Sequence, residues 1–248
     1  MRITSRSNEH VKQVRALERA RERRETGLHV IEGEKILEEA VENGMELREV
    51  FVVEGNAIRK PYDACVHQVT ESVMQAMSDL VTPPGVLAVV KTPDLTPPEV
   101  YPKGVIVALD RLQDPGNVGT IIRTADAMGA AGVLISKDTT DPFGGKTLRA
   151  AMGSTYHLPL WVGDVVEELR KLKAAGALLV AGDLEGEETL PPPAEQTVLV
   201  IGNEGAGISK SVAALCKGIR IPMKGRAESL NASVAAGILL YEFTKRMD

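Results

Sequence analysis

Apolar and polar positions follow one another in blocks that predict an α/β protein. In residues 1–92, four short apolar runs are typical of strands: 28–31, 50–53, 64–69 and 86–90. Apolar residues about one helical turn apart predict a single helix over 7–26, with Ser7 or Asn8 as its N-cap. Two further helices are predicted over 35–43 and 72–78. These elements form an alternating α/β domain.

A proline-rich stretch separates this domain from the rest of the chain. Residues 93–103 contain four prolines, and proline fixes φ and lacks a backbone donor, so we predict a linker there. In 104–248 the apolar runs are less interrupted, at 105–109, 133–136, 158–161, 178–181 and 198–201, with a short strand at 219–221. Helical patterns at 118–128, 165–175, 209–216 and 232–246 lie between or after them. Such runs suit a doubly wound parallel sheet, whose ligands bind beyond the carboxyl ends of the strands.

Composition limits the kind of protein. The 248 residues are 44% hydrophobic and 25% charged, enough for two packed domains and too apolar for a disordered chain. No apolar run approaches the roughly 20 residues of a membrane span, and the N-terminus lacks the apolar stretch of a signal peptide. Cys65 and Cys216 are far apart, and the four histidines show neither HExxH spacing nor close pairing. We therefore expect a cytoplasmic protein with no membrane segment and no metal site.

Charge is distributed unevenly. The formal net charge is −5, but residues 1–24 carry eight Lys or Arg against three Glu. A basic segment on an acidic protein can attract a polyanion to one edge. Charge alone is equally compatible with a solvated helix joined by ion pairs.

Polar and glycine-rich segments follow three strands of the second domain. They are 110–119, 202–207 and 222–231, and each leads into a helix. Glycines let a ligand approach the backbone, and helix N-termini attract anionic groups, so these segments predict a nucleotide-like ligand. The alternative is that they are ordinary turns between a strand and a helix. Gly202, Gly205 and Gly207 give GxxGxG, and no Walker sequence occurs. NAD dehydrogenases and P-loop NTPases are therefore disfavoured.

The same segments resemble a known family. Residues 109–130 read LDRLQDPGNVGTIIRTADAMGA, 199–209 read LVIGNEGAGIS, and 221–243 read IPMKGRAESLNASVAAGILLYEF. In this order they resemble the three signatures of the SpoU (TrmH) family of RNA ribose 2′-O-methyltransferases. Residues 148–159, LRAAMGSTYHLP, are similar to a further family stretch, and 3–40 resemble the substrate-binding domain of its ribosomal-RNA branch.

The resemblance implies a fold, a cofactor and partners. The C-terminal parallel-sheet α/β domain would contain a trefoil knot, and a smaller α/β RNA-binding domain, similar to ribosomal-protein folds, would precede it. The cofactor would be S-adenosylmethionine, the substrate ribosomal RNA, and the assembly a homodimer. The residues implied in cofactor binding are Gly202, Ile221, Met223, Ser229 and Leu230. The implied catalytic residues are Arg123, Asn117, Glu204, Ser229 and Asn231, and the RNA contacts are Arg6, Lys12, Arg15, Arg19, Arg23 and Arg123.

Arg123 has the central role in the implied mechanism. A guanidinium stays protonated in proteins, so we expect Arg123 to hold a phosphate and ease deprotonation of the 2′-hydroxyl rather than act as a base. Glu204 can also pair with Arg123, and Asn231 can cap the last helix.

Three other functions remain open at the sequence level. One is a transfer-RNA 2′-O-methyltransferase of the same family. Another is a non-catalytic RNA-binding or ribosome-assembly protein, and the last is an enzyme that uses a different nucleotide cofactor.

Overall fold

The computed structural model describes residues 1–56, 62 and 64–246. Its contacts divide the chain into two units. The first comprises residues 1–93 with 143–149, and the second comprises 94–142 with 150–248.

The first unit is built on a mixed five-stranded sheet. Its elements are β1 (Arg2–Ile3), α1 (Glu9–Ala16), α2 (Ala20–Thr26), β2 (Leu28–Glu32), α3 (Glu34–Glu42), β3 (Leu47–Val53), β4 (Cys65–Val69), α4 (Glu71–Met77) and β5 (Val86–Lys91). The sheet order is β1-β4-β3-β5-β2. β1, β4 and β3 are parallel, and β5 runs antiparallel to both of its neighbours. The strand β1 was not predicted, because two residues are too short to show a pattern.

The predicted single helix over 7–26 is wrong, because the chain breaks between α1 and α2. Asn8 caps α1 through its side chain, as predicted, by accepting from the backbone N–H of His10. At the break, the Arg23 guanidinium donates to the carbonyl oxygens of Leu17 and Glu18, at 2.7 and 2.8 Å. These bonds satisfy carbonyls that a continuous helix would have used in its own ladder.

The core of the first unit lies between α1, α4 and one face of the sheet. Val11 and Val14 of α1 and Val73 of α4 are fully or almost fully buried, as is Phe51 of β3. Each helix has its apolar residues on one face, so packing against the sheet removes that face from water.

The second unit contains a six-stranded parallel sheet, as predicted. Its elements are β6 (Gly104–Asp110), α5 (Pro115–Ala127), β7 (Gly132–Ser136), β8 (Leu160–Gly163), α7 (Val165–Ala174), β9 (Leu178–Glu187), β10 (Gln196–Gly202), α8 (Lys210–Ala213), β11 (Lys217–Ile219) and α9 (Ala232–Thr244). The helix α6 (Gly145–Ala151) comes between β7 and β8 along the chain, but its residues up to Arg149 group with the first unit. The order is β11-β9-β10-β6-β7-β8, and every pair is parallel. Several bounds differ from the prediction: α6 was not predicted, β9 is longer than its apolar run, and α8 is shorter than 209–216. The strands β8 and β11 are each shifted by two residues from the predicted 158–161 and 219–221.

The register brings two of the predicted segments side by side. β10 pairs with β6 so that Gly202 lies opposite Asp110, at the carboxyl end of both strands. Because the strands are parallel, the glycine-rich loop after β10 and the polar loop after β6 leave the same edge of the sheet. This edge is where a ligand is expected.

The proline-rich segment has no regular secondary structure, but from Asp94 on it groups with the second unit. Tyr101 is buried there, with its ring edge-on to Trp161 at 5.0 Å. Its hydroxyl donates to Glu168 at 3.0 Å. Burial, together with this bond, raises the pKa of Tyr101, so the phenol stays protonated.

No helix in the described part of the chain has the length and apolar character needed to cross a membrane.

Candidate active site

A cleft lies beside the middle of β9 and the carboxyl end of β10, next to the start of α9. Its walls are residues 182–184, 201–205, Gly207, Ile219, Ile221, Met223, Ser229, Leu230, Ala232, Ala235 and Leu239. All five residues predicted to bind the cofactor therefore line one cavity. The turns that the sequence analysis singled out after β10 and β11 converge here because their strands share the parallel sheet.

The loop after β10 is a tight backbone turn. The backbones of Asn203 and Gly207 bond to each other in both directions, at 3.0 and 2.9 Å. A Cβ on Gly202 would lie 2.5 Å from the carbonyl carbon of Gly207 and from the backbone nitrogen of Ile208. Only glycine fits at Gly202 without displacing backbone, so the close turn explains the glycine there.

Three of the predicted catalytic residues form a chain of hydrogen bonds. Asn231 Nδ2 donates to Asn117 Oδ1 at 2.9 Å, and Asn117 Nδ2 donates to Glu204 Oε1 at 3.1 Å. Asn231 also caps α9, since its Oδ1 accepts from the backbone N–H groups of Ser233 and Val234. The chain of bonds fastens the starts of α5 and α9 to the loop after β10, and the predicted cap is confirmed.

Glu204 is held by backbone donors. Its two carboxylate oxygens accept from the N–H groups of Gln113 and Asp114, at 3.2 and 3.1 Å. Burial by itself would raise the pKa of Glu204, but hydrogen bonds from backbone N–H groups and from Asn117 outweigh it and lower the pKa. The carboxylate is therefore ionised at neutral pH and holds the loop after β6 in place. The predicted ion pair with Arg123 is wrong, because none of the bonds that Glu204 makes among the described residues involves Arg123.

Arg123 lies on α5, one and two-thirds turns beyond Asn117. Its side chain is exposed and makes no hydrogen bond or ion pair with the residues that the structure describes. Ser229 is also exposed, and it lies at the cleft wall. A free guanidinium on the surface is available to an external anion such as phosphate.

Two residues at the end of β6 support the loops. The buried carboxylate of Asp110 accepts from the backbone N–H of Ser209 at 2.7 Å, before α8. Arg111 adopts a left-handed conformation with φ 62°, which is uncommon for a residue other than glycine. Its carbonyl accepts from Asn203 Nδ2 at 2.8 Å, so the loops after β6 and β10 are tied together.

The strand β9 contributes to the cleft, and this contribution was not predicted from the sequence. Gly182, Asp183 and Leu184 line the cleft directly after the apolar run of this strand. The signal was the change from apolar to Gly-Asp at the carboxyl end of a predicted strand, the same signal that identified the other two loops.

The residues of the first unit that are predicted to contact RNA differ in whether their side chains are exposed or already bonded within the protein. Arg15 is exposed on α1, whereas Lys12 pairs with Glu9 at 2.6 Å, Arg19 pairs with Glu22 at 3.1 Å, and Arg6 donates to a backbone carbonyl. Arg23 is buried and engaged at the break between the helices. Exposed pairs of this kind are weak and can open to a phosphate, but the buried guanidinium cannot.

Comparison with known proteins gives matches over both units. Residues 104–241 match the SpoU rRNA Methylase family, and residues 8–88 match the MRM3-like substrate binding domain. The chain is 34% identical to the 23S rRNA (guanosine(2553)-2′-O)-methyltransferase RlmP of Bacillus subtilis, with 96% of this chain and 97% of that protein covered. It is also 34% identical to the 23S rRNA (uridine(2479)-2′-O)-methyltransferase of Streptomyces viridochromogenes, over 99% and 92% of the two chains.

A solved structure is similar along the whole chain. The AdoMet-bound rRNA methyltransferase from Sinorhizobium meliloti superposes with a TM-score of 0.89 at 34% identity, covering 100% of this chain and 98% of that one. The likeness is consistent with the knotted fold that the signatures imply.

Proposed function

This chain belongs to the SpoU rRNA Methylase family, and we propose that it transfers the methyl group of S-adenosylmethionine to the ribose 2′-hydroxyl of a nucleotide in 23S ribosomal RNA. The family, the enzyme class and the cofactor predicted from the sequence are confirmed. The observation that carries the proposal is the single cleft in which the second and third signature segments meet.

The cleft fits S-adenosylmethionine. Apolar side chains such as Ile219, Ile221 and Leu230 can cover the adenine, while the glycine-rich loops offer backbone donors and acceptors to its polar edge. The carboxylate of Asp183 at the wall suits a ligand that carries positive charge on sulfur and nitrogen. When bound, the cofactor supplies an electrophilic methyl group on a sulfonium.

The residues around the cleft then have distinct tasks. We propose that Arg123 binds the phosphate next to the target ribose. Its guanidinium is exposed, makes no bond with the described residues and carries a permanent charge. A held phosphate positions the neighbouring 2′-hydroxyl. The positive charge of Arg123 stabilises the oxyanion that forms as the hydroxyl gives its proton to solvent water. Asn117, Glu204 and Asn231 act as positioning residues, because their bonds keep the starts of α5 and α9 in place beside the cleft.

Arg123→Ala tests this assignment. Loss of one charge-stabilising group typically lowers kcat by about 100-fold or more, so we expect that loss with the Kd for S-adenosylhomocysteine unchanged within about threefold. Arg170→Ala is the matched control, because Arg170 is an exposed arginine on α7 of the same unit. Methylation is followed by transfer of labelled methyl to RNA, and cofactor binding by isothermal titration. An Arg123→Ala protein that methylates at the wild-type rate would refute the assignment.

The substrate class follows from the two relatives, which both act on 23S rRNA but on different nucleotides. We therefore propose 23S rRNA without assigning the nucleotide. Mass-spectrometric mapping should find one ribose methylation that the purified enzyme adds to unmodified 23S rRNA. Methylation of transfer RNA in place of 23S rRNA would contradict the substrate class while leaving the reaction intact.

We also propose a homodimer, on the basis of α9. One face of this helix packs inward, yet the opposite face exposes Val234, Ile238 and Tyr241, whose relative exposures are 50%, 39% and 53%. A helix that is apolar on all sides is normally covered, and a second copy of this chain would cover it.

The dimer is tested by changing the exposed face. Ile238→Asp should convert the protein to a monomer in sedimentation velocity, because a carboxylate is costly to bury at an interface. Val100→Asp is the control, since Val100 is an apolar residue that is 85% exposed and is distant from α9 along the sequence. A wild-type protein that sediments as a monomer would refute the proposal.

A further inference from the structure

Two histidines and a glutamate meet in the first unit, where α1 lies against the sheet. His10 is in the first turn of α1, Glu49 is on β3 and His67 is on β4. One potential ligand atom from each residue lies within 4.8 Å of the other two. His10 Nδ1 is 2.7 Å from Glu49 Oε1, and His67 Nε2 is 3.5 Å from the same oxygen.

The polar atoms of this cluster lack ordinary partners. The side chain of His67 is only 7% exposed, and neither of its ring nitrogens makes a hydrogen bond in the described structure. Its distance of 3.5 Å from Glu49 is too long for a good bond. His10 Nδ1 is close to the carboxylate but is not aligned as a hydrogen-bond donor, and it too is buried without a bond. Buried polar atoms without partners are rare and destabilising, so they call for a ligand.

The surroundings favour a cation as that ligand. Phe51 stacks on His67 with ring centroids 5.0 Å apart and fixes the orientation of the imidazole. Glu49 contributes a carboxylate to the cluster, and a cation at the centre would pair with it.

We propose that His10, Glu49 and His67 bind one divalent transition-metal ion of the zinc type. Two imidazole nitrogens and one carboxylate oxygen are a common zinc ligand set, with water completing the tetrahedron. Metal–ligand distances of about 2.0–2.2 Å place the ligand atoms about 3.4 Å apart. Small side-chain rotations would lengthen the 2.7 Å contact between His10 and Glu49 and bring the ligand atoms that are farther apart closer together. The ion would fasten α1 to β3 and β4.

This site was not visible in the sequence. His10 and His67 are far apart along the chain, and the absence of close pairing had led us to expect no metal site. The fold brings them together, with ring centroids 4.8 Å apart. Because α1 also carries Lys12 and Arg15, the ion would fix the helix that we expect to meet RNA.

The experiment uses the full-length chain without an affinity tag, stripped with EDTA and dialysed into metal-free buffer. Zinc is added in a titration calorimeter, and cobalt(II) is added separately to record visible absorption from a tetrahedral site. We expect one ion per chain and a melting temperature that rises with zinc. His10→Ala and Glu49→Gln should raise the Kd at least about tenfold, because loss of a group that merely orients a metal ligand already costs about that much.

His157→Ala is the matched control, because His157 is a partly exposed histidine of the second unit, paired with Asp126 at 2.8 Å. Its Kd and stoichiometry should equal those of the wild type. Circular dichroism checks that each variant is folded. The proposal is overturned if the wild type binds no zinc and gives no tetrahedral cobalt spectrum, or if folded His10→Ala binds zinc as tightly as the wild type.

Discussion

Asn117→Ala is the substitution that tests the hydrogen-bond chain beside the cleft. Asn117 is only 9% exposed, and its side chain makes one bond to Asn231 and one to Glu204. Alanine removes both bonds and leaves the helix propensity of α5 no worse. The loss in stability therefore reports the bonds themselves.

The expected loss is about 2.5 kcal/mol. The bond between the two neutral amides contributes about 1 kcal/mol. The bond to the Glu204 carboxylate contributes about 1.5 kcal/mol, the lower end for a charged partner, because Glu204 is exposed and water can replace the amide. With a urea m-value of about 2 kcal/mol/M, the unfolding midpoint should fall by about 1.2 M.

Fluorescence of Trp161 is a suitable probe. It is the single tryptophan, it is buried, and it lies in the same unit as Asn117. Thr120→Ala is the control, because Thr120 is exposed on the same helix, and it should stay within about 0.5 kcal/mol of the wild type. If Asn117→Ala also lies within that margin, the bonds do not stabilise the site.

Two further predictions concern the loop after β10. Gly202→Ala should weaken S-adenosylhomocysteine binding at least about tenfold in calorimetry. The new Cβ would lie 2.5 Å from the carbonyl carbon of Gly207 and force the loop to move. Unchanged binding would contradict the geometry. The lowered pKa of Glu204 makes the stability of the fold depend on pH. The stability that ionised Glu204 contributes is fully present above its ordinary pKa of 4.5 and is lost as the pH falls through its lower pKa in the folded protein. The urea midpoint of the wild type should therefore fall more steeply between pH 5 and about pH 3 than that of Glu204→Gln, and parallel curves would contradict this.

The sequence predicted most strands and the edge of the sheet at which the cleft lies. Uninterrupted apolar runs mark β6, β7 and β10 because both faces of a parallel sheet are covered, so burial leaves a local pattern. Gly202 and the polar loops at the strand ends could be recognised because a ligand site at this edge follows from the sheet itself. The knot and the cofactor came only from the family signatures.

Tertiary structure decided features that depend on distant partners. The break between α1 and α2 is stabilised by Arg23, whose burial no local pattern shows. The pairing of Glu204 with backbone N–H groups, in place of Arg123, depends on the register of β10 against β6.

The cluster of His10, Glu49 and His67 exists only because α1 packs across β3 and β4. Periodicity records which face of an element is buried, but it carries no information about which buried faces meet. By itself the sequence therefore indicated most of the strands and helices and the edge of the sheet where a ligand is expected. Packing decided which polar groups became partners.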